Sequence, residues 1–537
     1  MARDSTKRTR GFFPSFYSLS FLLVVPLLVA ALLYKLTSSS SPQKSDYDHV
    51  PGTPDTVLFL ASANRGQHNV QLATIQGLME RHPGVRIHVA SAPYVGGSLE
   101  RIAGLVRSAG PPAPDPVFHA LDGLADVNAD IPRLLGTNRS FGELVMHRPG
   151  AAGARAAFGT LKPTMSPWSC DEYASLYRRI SDLVDKVDPA VVVLDFALRP
   201  AIDVARHKQR RRVYISPMPL ANVLGFIQPS VDAIWKYPTL GTDFPFPLAW
   251  KHVPSNIVAA LSAMVTFATR SAGTASPQCL EERGIHGSFG PMTDPGVMWI
   301  TPGLSEAAIP VDPVPAGAVR VGPITLSVRP LVEQSPELAR WLRNAPTVYI
   351  NMGSLFRYTQ ARVDVMSRAI RLLLEQTPVQ VLWKLGEMDK FGDVVREHLG
   401  PLIDRGRVVV TGWINADPTA LLETGDVVCF MHHGGANSFH EALSAGVPQV
   451  VVPMWLDLYN LAQVAESSGV GVYATRGTAP EWTVDGLLEP LLKVVGGGED
   501  GLDIRAKAAT VGRKAREDPG RYAAADRVAR LAALGGL

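Results

Sequence analysis

From Thr56 onwards the sequence alternates apolar, strand-like runs with amphipathic stretches of helical period, and this alternation narrowly limits the available folds. The runs fall into two sets, TVLFLAS (56–62), VRIHVAS (85–91), AVVVLDF (190–196), RVYISP (212–217) and GVMWITPG (296–303), then TVYINMGSL (347–355), VQVLWKLG (379–386), RVVVTGW (407–413), VVCFM (427–431) and PQVVVPMW (448–455). Strands that alternate with helices predict parallel sheets covered on both faces. We therefore expect an α/β fold with two Rossmann-like domains that face each other across a cleft.

The same pattern divides the chain. We expect a first domain over residues 56–320, an interdomain linker over 321–345, a second domain over 346–505 and a helical, charged tail over 506–537. With 537 residues, of which 46% are hydrophobic, the chain has enough apolar material for both cores. The apolar stretch 253–271 is predicted to be a buried helix of the first domain, and a membrane-facing or acceptor-lining helix is the alternative.

The N-terminus differs in kind from the rest. A basic tail over residues 1–10 precedes an apolar stretch over 11–36, which has no charge before Lys35. That stretch exceeds the about 20 residues that cross a bilayer and the apolar core of a cleaved signal peptide, so it is predicted to be a retained transmembrane anchor. The excess of positive charge before it favours a type II orientation with a cytosolic tail, a polar linker over 37–55 and the body across the membrane. We expect a single-pass protein of the endoplasmic reticulum or another endomembrane.

The charge and the cysteine content bear on nucleic-acid binding and on disulfide bonds. The formal charge is +3, from 52 basic and 49 acidic residues, and no dense basic stripe argues for nucleic acid as a partner. The three cysteines, Cys170, Cys279 and Cys429, are too few and too scattered to predict a disulfide framework. Cys429 lies in an apolar strand and is expected to be a buried thiol.

The stretch FMHHGGANSFHEALSAGVP (430–448) reads as a strand end, a glycine turn and a helix N-terminus. Backbone N–H groups converge on an anion at such a place. The turn lacks the G-K-[ST] of a Walker loop and the G-x-G-x-x-G of a dinucleotide fold. The neighbouring side chains of His432 and His433 are expected to point in opposite directions at the strand end, so no metal site is predicted.

The residues around this turn resemble the signature of the family-1 UDP-glycosyltransferases. The resemblance rests on Gly412-Trp413, HHGGANSFHE (432–441), GVP (446–448) and PMWLDL (453–458), with VGPI (321–324) and VYINMGS (348–354) before them. The run from Asp457 to Asn460, D-L-Y-N, is similar to that of fungal members. The resemblance implies the two-domain architecture named GT-B, in which the second domain binds a UDP-sugar and the first binds the acceptor.

The resemblance also implies roles for individual residues. Trp413 would stack on uracil, Glu441 would bind the ribose hydroxyls, and Asp457 would bind hydroxyls of the sugar. The diphosphate would be held by a group at the glycine turn and a serine from another loop. The residues at the glycine turn are His433, Gly435, Asn437 and Ser438, and the serine from the other loop is Ser354. Leu458 stands where the family has a Gln or His, and Asn415-Ala416 stand where it has Pro-Gln, so the identity of the sugar is open.

A general base is expected in the loop after the first strand, where ANRGQHNVQLA places His68. Histidine titrates near neutrality and can take the proton of an attacking hydroxyl. In the alternative alignment Gln67 takes the base position, and His68 is then an ordinary loop histidine. Asp195 ends an apolar strand and is expected to orient the base, with a helix N-cap as the alternative role.

The resemblance implies an inverting glycosyltransferase that moves a hexose, with glucose expected, from a UDP-sugar to a hydroxyl of a lipophilic or phenolic acceptor. No cofactor besides the donor substrate is expected, and the segment 11–36 would hold the enzyme on a membrane. Two alternatives remain at this point. One is a UDP-sugar epimerase of the same fold, and the other is a catalytically inactive subunit that recruits a partner to the membrane.

Overall fold

The computed structural model describes residues 49–110, 114–227, 231–268, 274–290 and 297–534. The expected cytosolic tail, the anchor over 11–36 and most of the linker therefore lie outside the described residues. Within these ranges, no helix is both long enough and apolar enough to cross a bilayer.

The first domain is built on a seven-stranded parallel sheet with the order β3-β2-β1-β4-β5-β6-β7. Its strands are β1 (Thr53–Leu60), β2 (Arg86–Ser91), β3 (Val117–Ala120), β4 (Pro189–Leu194), β5 (Arg212–Ile215), β6 (Met298–Pro302) and β7 (Ala318–Val321). Its helices are α1 (Arg65–Arg81), α2 (Val95–Ala109), α3 (Asp130–Leu134), α4 (Phe141–Val145), α5 (Ala151–Leu161), α6 (Cys170–Val187), α7 (Arg199–His207), α8 (Leu220–Ile227), α9 (Val231–Trp235), α10 (Val253–Ala268) and α11 (Pro277–Glu281). Three short 3-10 helices lie at Lys162–Met165, Trp250–His252 and Ser305–Ala307.

The second domain is built on a six-stranded parallel sheet with the order β10-β9-β8-β11-β12-β13. Its strands are β8 (Thr347–Asn351), β9 (Gln380–Lys384), β10 (Val408–Thr411), β11 (Val427–His432), β12 (Gln449–Val451) and β13 (Gly471–Tyr473). The helices that follow the first sheet are α12 (Leu331–Gln334), α13 (Pro336–Leu342), α14 (Gln360–Gln376), α15 (Met388–Asp404), α16 (Pro418–Leu422), α17 (Ala436–Ala445), α18 (Leu456–Ser467), α19 (Val484–Val495), α20 (Glu499–Glu517) and α21 (Gly520–Ala533). The predicted two-domain α/β plan with parallel sheets is thus confirmed.

Three strands, all of them short, were not predicted from the sequence. β3 lies at a sheet edge with its four residues exposed or half-buried, so it lacks the apolar run that marks an inner strand. β7 and β13 lie at the edges of their sheets, and β13 has three residues. Edge strands bury less side-chain surface, and their sequences therefore carry a weaker signal.

The two domains share apolar contacts as well as a linker. Segment 127–158 follows β3 of the first sheet, yet its buried side chains lie in the same core cluster as those of β8. Phe141, Val145 and Phe158 belong to this group. This segment therefore fixes part of the first domain onto the second.

The C-terminal tail differs from its expected bounds and position. Helix α20 begins at Glu499, before the expected start at 506, and packs against α17 of the second domain. Helix α21 crosses back and packs against α1 and β1 of the first domain. At the crossing, the N–H of Gly520 donates to the carbonyl of Pro323 at 3.0 Å. The last helix is therefore a component of the first domain.

Two further expectations for the first domain need correction. Cys170 and Cys279 form a disulfide across 109 residues, because α6 and α11 bring their Cα atoms to 6.1 Å, whereas Cys429 is free and buried as predicted. The described part of the stretch 253–271 forms the helix Val253–Ala268, but Val258 is 58% exposed and Val265 63% exposed. This helix is therefore a partly exposed surface element and not a buried one.

Candidate functional site

The glycine turn lies at the carboxyl edge of the second sheet, between β11 and α17. Gly434 has a φ of +95°, and a Cβ there would lie 2.9 Å from a methyl carbon of Val451, so this position requires glycine. His432 braces the turn: its Nδ1 accepts from the N–H of Gly434 at 3.0 Å, and its Nε2 donates to the side-chain oxygen of Gln449 at 2.9 Å. The ring of His432 is therefore committed to the fold.

The ring of His433 is held between two glycines. A Cβ at Gly353 would lie 2.6 Å from Cε1 of this ring, and a Cβ at Gly435 would lie 2.4 Å from its Nε2. The Nδ1 atom is buried and has no hydrogen-bond partner among the described residues. Burial, followed by the proximity of His432 and Lys384, lowers the pKa of His433 to about 3. A neutral ring at this place can offer one N–H to an anion at the N-terminus of α17.

Asn437 and Ser438 lie in the first turn of α17, as the sequence predicts, and both are half-buried. The side-chain amide of Asn437 donates to the carbonyl of Gly66 in the first domain at 3.3 Å. Ser354 is exposed in the loop after β8, directly after Gly353, whose φ is +81°. The predicted diphosphate residues thus converge on the start of one helix, opposite the loop that follows β1.

Glu441 lies one turn further along α17 and is half-buried. Burial, followed by repulsion from Asp417, raises the pKa of Glu441 to about 7. A carboxylate with this environment gains from hydrogen-bond donors such as a pair of ribose hydroxyls, because they offset its lost hydration.

Trp413 follows β10 and is 57% exposed, so its ring can accept a stacked base. Two cations lie over this ring, and the sequence analysis had identified neither. Nζ of Lys384 is 5.0 Å from the ring centroid, and Cζ of Arg65 from the first domain is 5.4 Å from it. The available signal for Lys384 was its position at the end of an apolar strand, at the edge where ligands bind.

Asp457 is in the first turn of α18, and burial raises its pKa to about 6. The preceding residue, Leu456, has a φ of +31°. Its N–H donates to Nε2 of His147 at 3.0 Å, and its carbonyl accepts from the N–H of Gly241 at 3.1 Å. Both partners come from the first domain and were not identified from the sequence.

Leu458 is 2% exposed and belongs to the core cluster of the second domain. Its side chain therefore packs inward at the position where the family carries a polar residue. Of these two neighbouring residues, Asp457 is therefore the one with a polar side chain at this turn.

His68 and Asp195 lie near each other but make no direct hydrogen bond among the described contacts. Asp195 is fully buried, and its two oxygens accept from the backbone N–H groups of Ser62 at 3.2 Å and Ala197 at 2.8 Å. Burial raises the pKa of Asp195. Burial also lowers the pKa of His68 to about 4, while the nearby backbone of Ser62 acts to raise it. Ser62 therefore holds Asp195 by a hydrogen bond and lies beside His68.

The remaining histidines do not form a metal centre in the described part of the chain, where no three His, Cys, Asp or Glu side chains are grouped as ligands. His440 is buried, and its Nδ1 donates to the carbonyl of Ala436 at 2.8 Å inside α17.

The chain is similar to known glycosyltransferases. Residues 396–526 match the family model described as erythromycin biosynthesis protein CIII-like, C-terminal domain. The chain is 36% identical over 484 residues to glycosyltransferase sdnJ of Sordaria araneosa, which covers 87% of this chain and 91% of that protein. It is 29% identical over 175 residues to UDP-glycosyltransferase 84B1 of Arabidopsis thaliana, which covers 32% of this chain and 36% of that protein.

Solved structures share the fold. A UDP-glucose:anthocyanidin 3-O-glucosyltransferase in complex with UDP is similar with a TM-score of 0.57 at 15% identity, over 90% of this chain and 100% of that one. Os79 from O. sativa, in complex with U2F and trichothecene, is similar with a TM-score of 0.56 at 18% identity, over 89% of this chain and 100% of that one. The near full-length relative, the GT-B fold and the family model together show that this chain is a transferase of the family-1 UDP-glycosyltransferases.

Proposed function

We propose that the protein moves a hexose, glucose by preference, from a UDP-sugar to a hydroxyl of a lipophilic or phenolic small molecule, with inversion at C1. The observation that carries this proposal is the ring of His433, which two glycines hold at the N-terminus of α17 with an unpartnered Nδ1. A diphosphate oxygen can accept from the ring and from the free N–H groups of the helix. Trp413 and Glu441, at the same sheet edge, suit the uracil and the ribose.

In the proposed reaction the acceptor oxygen attacks C1 from the side opposite the diphosphate. The bond from C1 to the β-phosphate oxygen breaks, its electron pair leaves with UDP, and the acceptor proton goes to His68. His68 is two residues from Gly66, whose carbonyl contacts Asn437 at the diphosphate end of the cleft. Its lowered pKa keeps the ring neutral at pH 7, as a base requires, and Asp195 orients the loop through Ser62.

The acceptor class is inferred from two sources. Proteins of similar structure act on or bind molecules such as an anthocyanidin and a trichothecene, as their names and complexes state. The apolar segment 11–36 would keep the enzyme beside a lipid phase, where a lipophilic acceptor is concentrated. We accordingly propose a type II endomembrane protein whose body faces the lumen.

Turnover tests this function directly. The full-length chain in detergent is supplied with a panel of UDP-sugars and hydrophobic or phenolic acceptors, and UDP release and product anomer are measured. We expect acceptor-dependent UDP release with UDP-glucose, a product of inverted configuration, and loss of activity in Glu441→Ala and His68→Ala. Activity should persist in EDTA, because protein groups are proposed to hold the departing phosphates without a metal.

Several outcomes would contradict parts of the proposal. Full activity in His68→Ala would move the base elsewhere, and a retained anomer would exclude single displacement. UDP binding without release, for every donor and acceptor, would favour the recruiting subunit. Digestion of the body in sealed membrane vesicles would contradict a lumenal orientation, for which modification of the exposed Asn138 in its Asn-x-Ser sequon is a second readout.

A further inference from the structure

Lys384 is the last residue of β9 and lies between two loops of the candidate site. In the sheet register it pairs with Asn351 of β8 on one side and with Thr411 of β10 on the other. The strand β8 leads into Gly353 and Ser354, and β10 leads into Trp413. The carboxyl ends of parallel strands share one edge of the sheet. The ammonium group of Lys384 therefore lies among the loops predicted to hold the diphosphate and the uracil.

Arg65 reaches the same place from the first domain. It is the first residue of α1, and the carbonyl of the next residue, Gly66, accepts from Asn437 in the first turn of α17. Its guanidinium lies over the ring of Trp413, which Lys384 also contacts. Arg65 therefore spans the region between the indole and the N-terminus of α17.

Neither of these two cations forms an ion pair with a carboxylate of the described residues. Within the described residues, no carboxylate oxygen lies within 4.0 Å of Lys384 or Arg65. Glu387, whose negative charge acts to raise the pKa of Lys384, lies 3.6 Å from Arg357 and also accepts from the N–H of Tyr358. Burial, then repulsion from Arg65 and Arg357, lowers the pKa of Lys384, so the cluster gains from an added anion.

The leaving group needs more positive charge than the glycine turn supplies. The His433 ring at this turn has a pKa of about 3, so it carries no charge at pH 7. The N-terminus of a helix contributes only about half an elementary charge. Breaking the bond at C1 leaves an additional negative charge on UDP, which a full cation within contact distance stabilises strongly.

We propose that Lys384 and Arg65 bind the donor diphosphate from the two sides of the cleft and stabilise UDP as it leaves. This inference rests on the proposed function of the same site. Neither residue exchanges a proton in the reaction: the electron pair of the broken bond stays on the β-phosphate oxygen, and the two cations only balance its charge. Because Arg65 belongs to the first domain, the diphosphate site is complete only when both domains contribute to it.

Calorimetric titration of the full-length chain with uridine, UMP and UDP tests this proposal. Lys384→Met and Arg65→Gln should each weaken UDP binding by about tenfold or more, because each loses a charge-assisted hydrogen bond. Uridine binding should stay within about twofold of wild type, since a loss of charge affects the phosphates and not the base. The conservative variants Lys384→Arg and Arg65→Lys should recover most of the UDP affinity.

Matched controls are Lys390→Met on α15 and Arg101→Gln on α2, both exposed and outside the site. An equal loss of uridine and UDP affinity in Lys384→Met and Arg65→Gln, or no loss in either, would overturn the proposal. If a charge-removing variant fails to fold, the conservative variant and the salt dependence of UDP binding to wild type test the proposal instead. Two cationic contacts require the UDP affinity to fall as the salt concentration rises. Failure of the proposed function itself would look different, because wild type would then bind neither uridine nor UDP, or would bind UDP but release none from any donor and acceptor.

Discussion

Nε2 of His147, in the first domain, accepts a hydrogen bond of 3.0 Å from the backbone N–H of Leu456, the residue before Asp457. Nδ1 of the same ring donates to the carbonyl of Arg148 at 2.7 Å, which fixes the neutral tautomer with Nε2 as the acceptor. The backbone carbonyl of His147 accepts in turn from the hydroxyl of Tyr459. One histidine thus connects a loop of the first domain to the turn that carries Asp457, the residue proposed to bind the sugar.

We predict that His147→Ala raises KM for the UDP-sugar while the protein stays folded. The change leaves the N–H of Leu456 without its partner, at a cost of about 1–2 kcal/mol, or about five- to thirtyfold in affinity. The measurement is KM for the UDP-sugar, with UDP binding in parallel. KM should rise while UDP binding changes little, because Asp457 is expected to contact the sugar. The exposed His286→Ala is the control, and an unchanged KM in His147→Ala would show that the bond does not position Asp457.

Glu441 should make nucleoside binding depend on pH. Its raised pKa, about 7, means that the carboxyl group is largely protonated at pH 6 and largely ionised at pH 8. The ionised form accepts from both ribose hydroxyls, so the Kd of uridine should fall as pH rises through this range, by about tenfold at most. Uridine is the probe because it has no phosphate that titrates here. The dependence should vanish in Glu441→Gln, and a flat profile for wild type would contradict the proposed ribose contact.

Gly353→Ala should disable the diphosphate site. The new methyl group would lie 2.6 Å from Cε1 of His433, at a φ of +81° that alanine rarely adopts. We expect a loss of stability of about 1–3 kcal/mol and a fall in UDP affinity as the ring is displaced. Gly386→Ala is a close control at the same sheet edge, because a Cβ there meets nothing within 4 Å. Equal UDP affinity in the two variants would show that the position of His433 is not set by this contact.

The disulfide Cys170–Cys279 should stabilise the first domain without serving the donor site. Replacing both residues by serine should lower the free energy of unfolding by about 2–4 kcal/mol, since a long loop is no longer closed in the unfolded chain. Thermal unfolding with and without a reducing agent measures this, and UDP affinity should be unchanged. Detection of three free thiols in the oxidised native protein would contradict the pairing.

The sequence predicted those parts of the site that are local in the chain. His433 lies in the turn after β11, and Asn437 and Glu441 lie one turn apart on α17, so a single stretch of sequence indicates that they are close together. Arg65, Lys384 and His147 could not be found in this way, because each acts through a contact between segments that are distant in sequence. The pairing of Cys170 with Cys279 was missed for the same reason, since only the packing of α6 and α11 brings the two residues together.

The path of the last helix reverses the order in which the two domains can mature. Ala524, Ala525 and Val528 of α21 lie in the same buried cluster as Val57 and Phe59 of β1. A ribosome delivers β1 before the second domain and α21 after it, so the part of this sheet face that α21 covers stays open until α21 has been synthesised. The second domain has all its strands and flanking helices earlier. The domain whose synthesis begins first is therefore the one that finishes folding last.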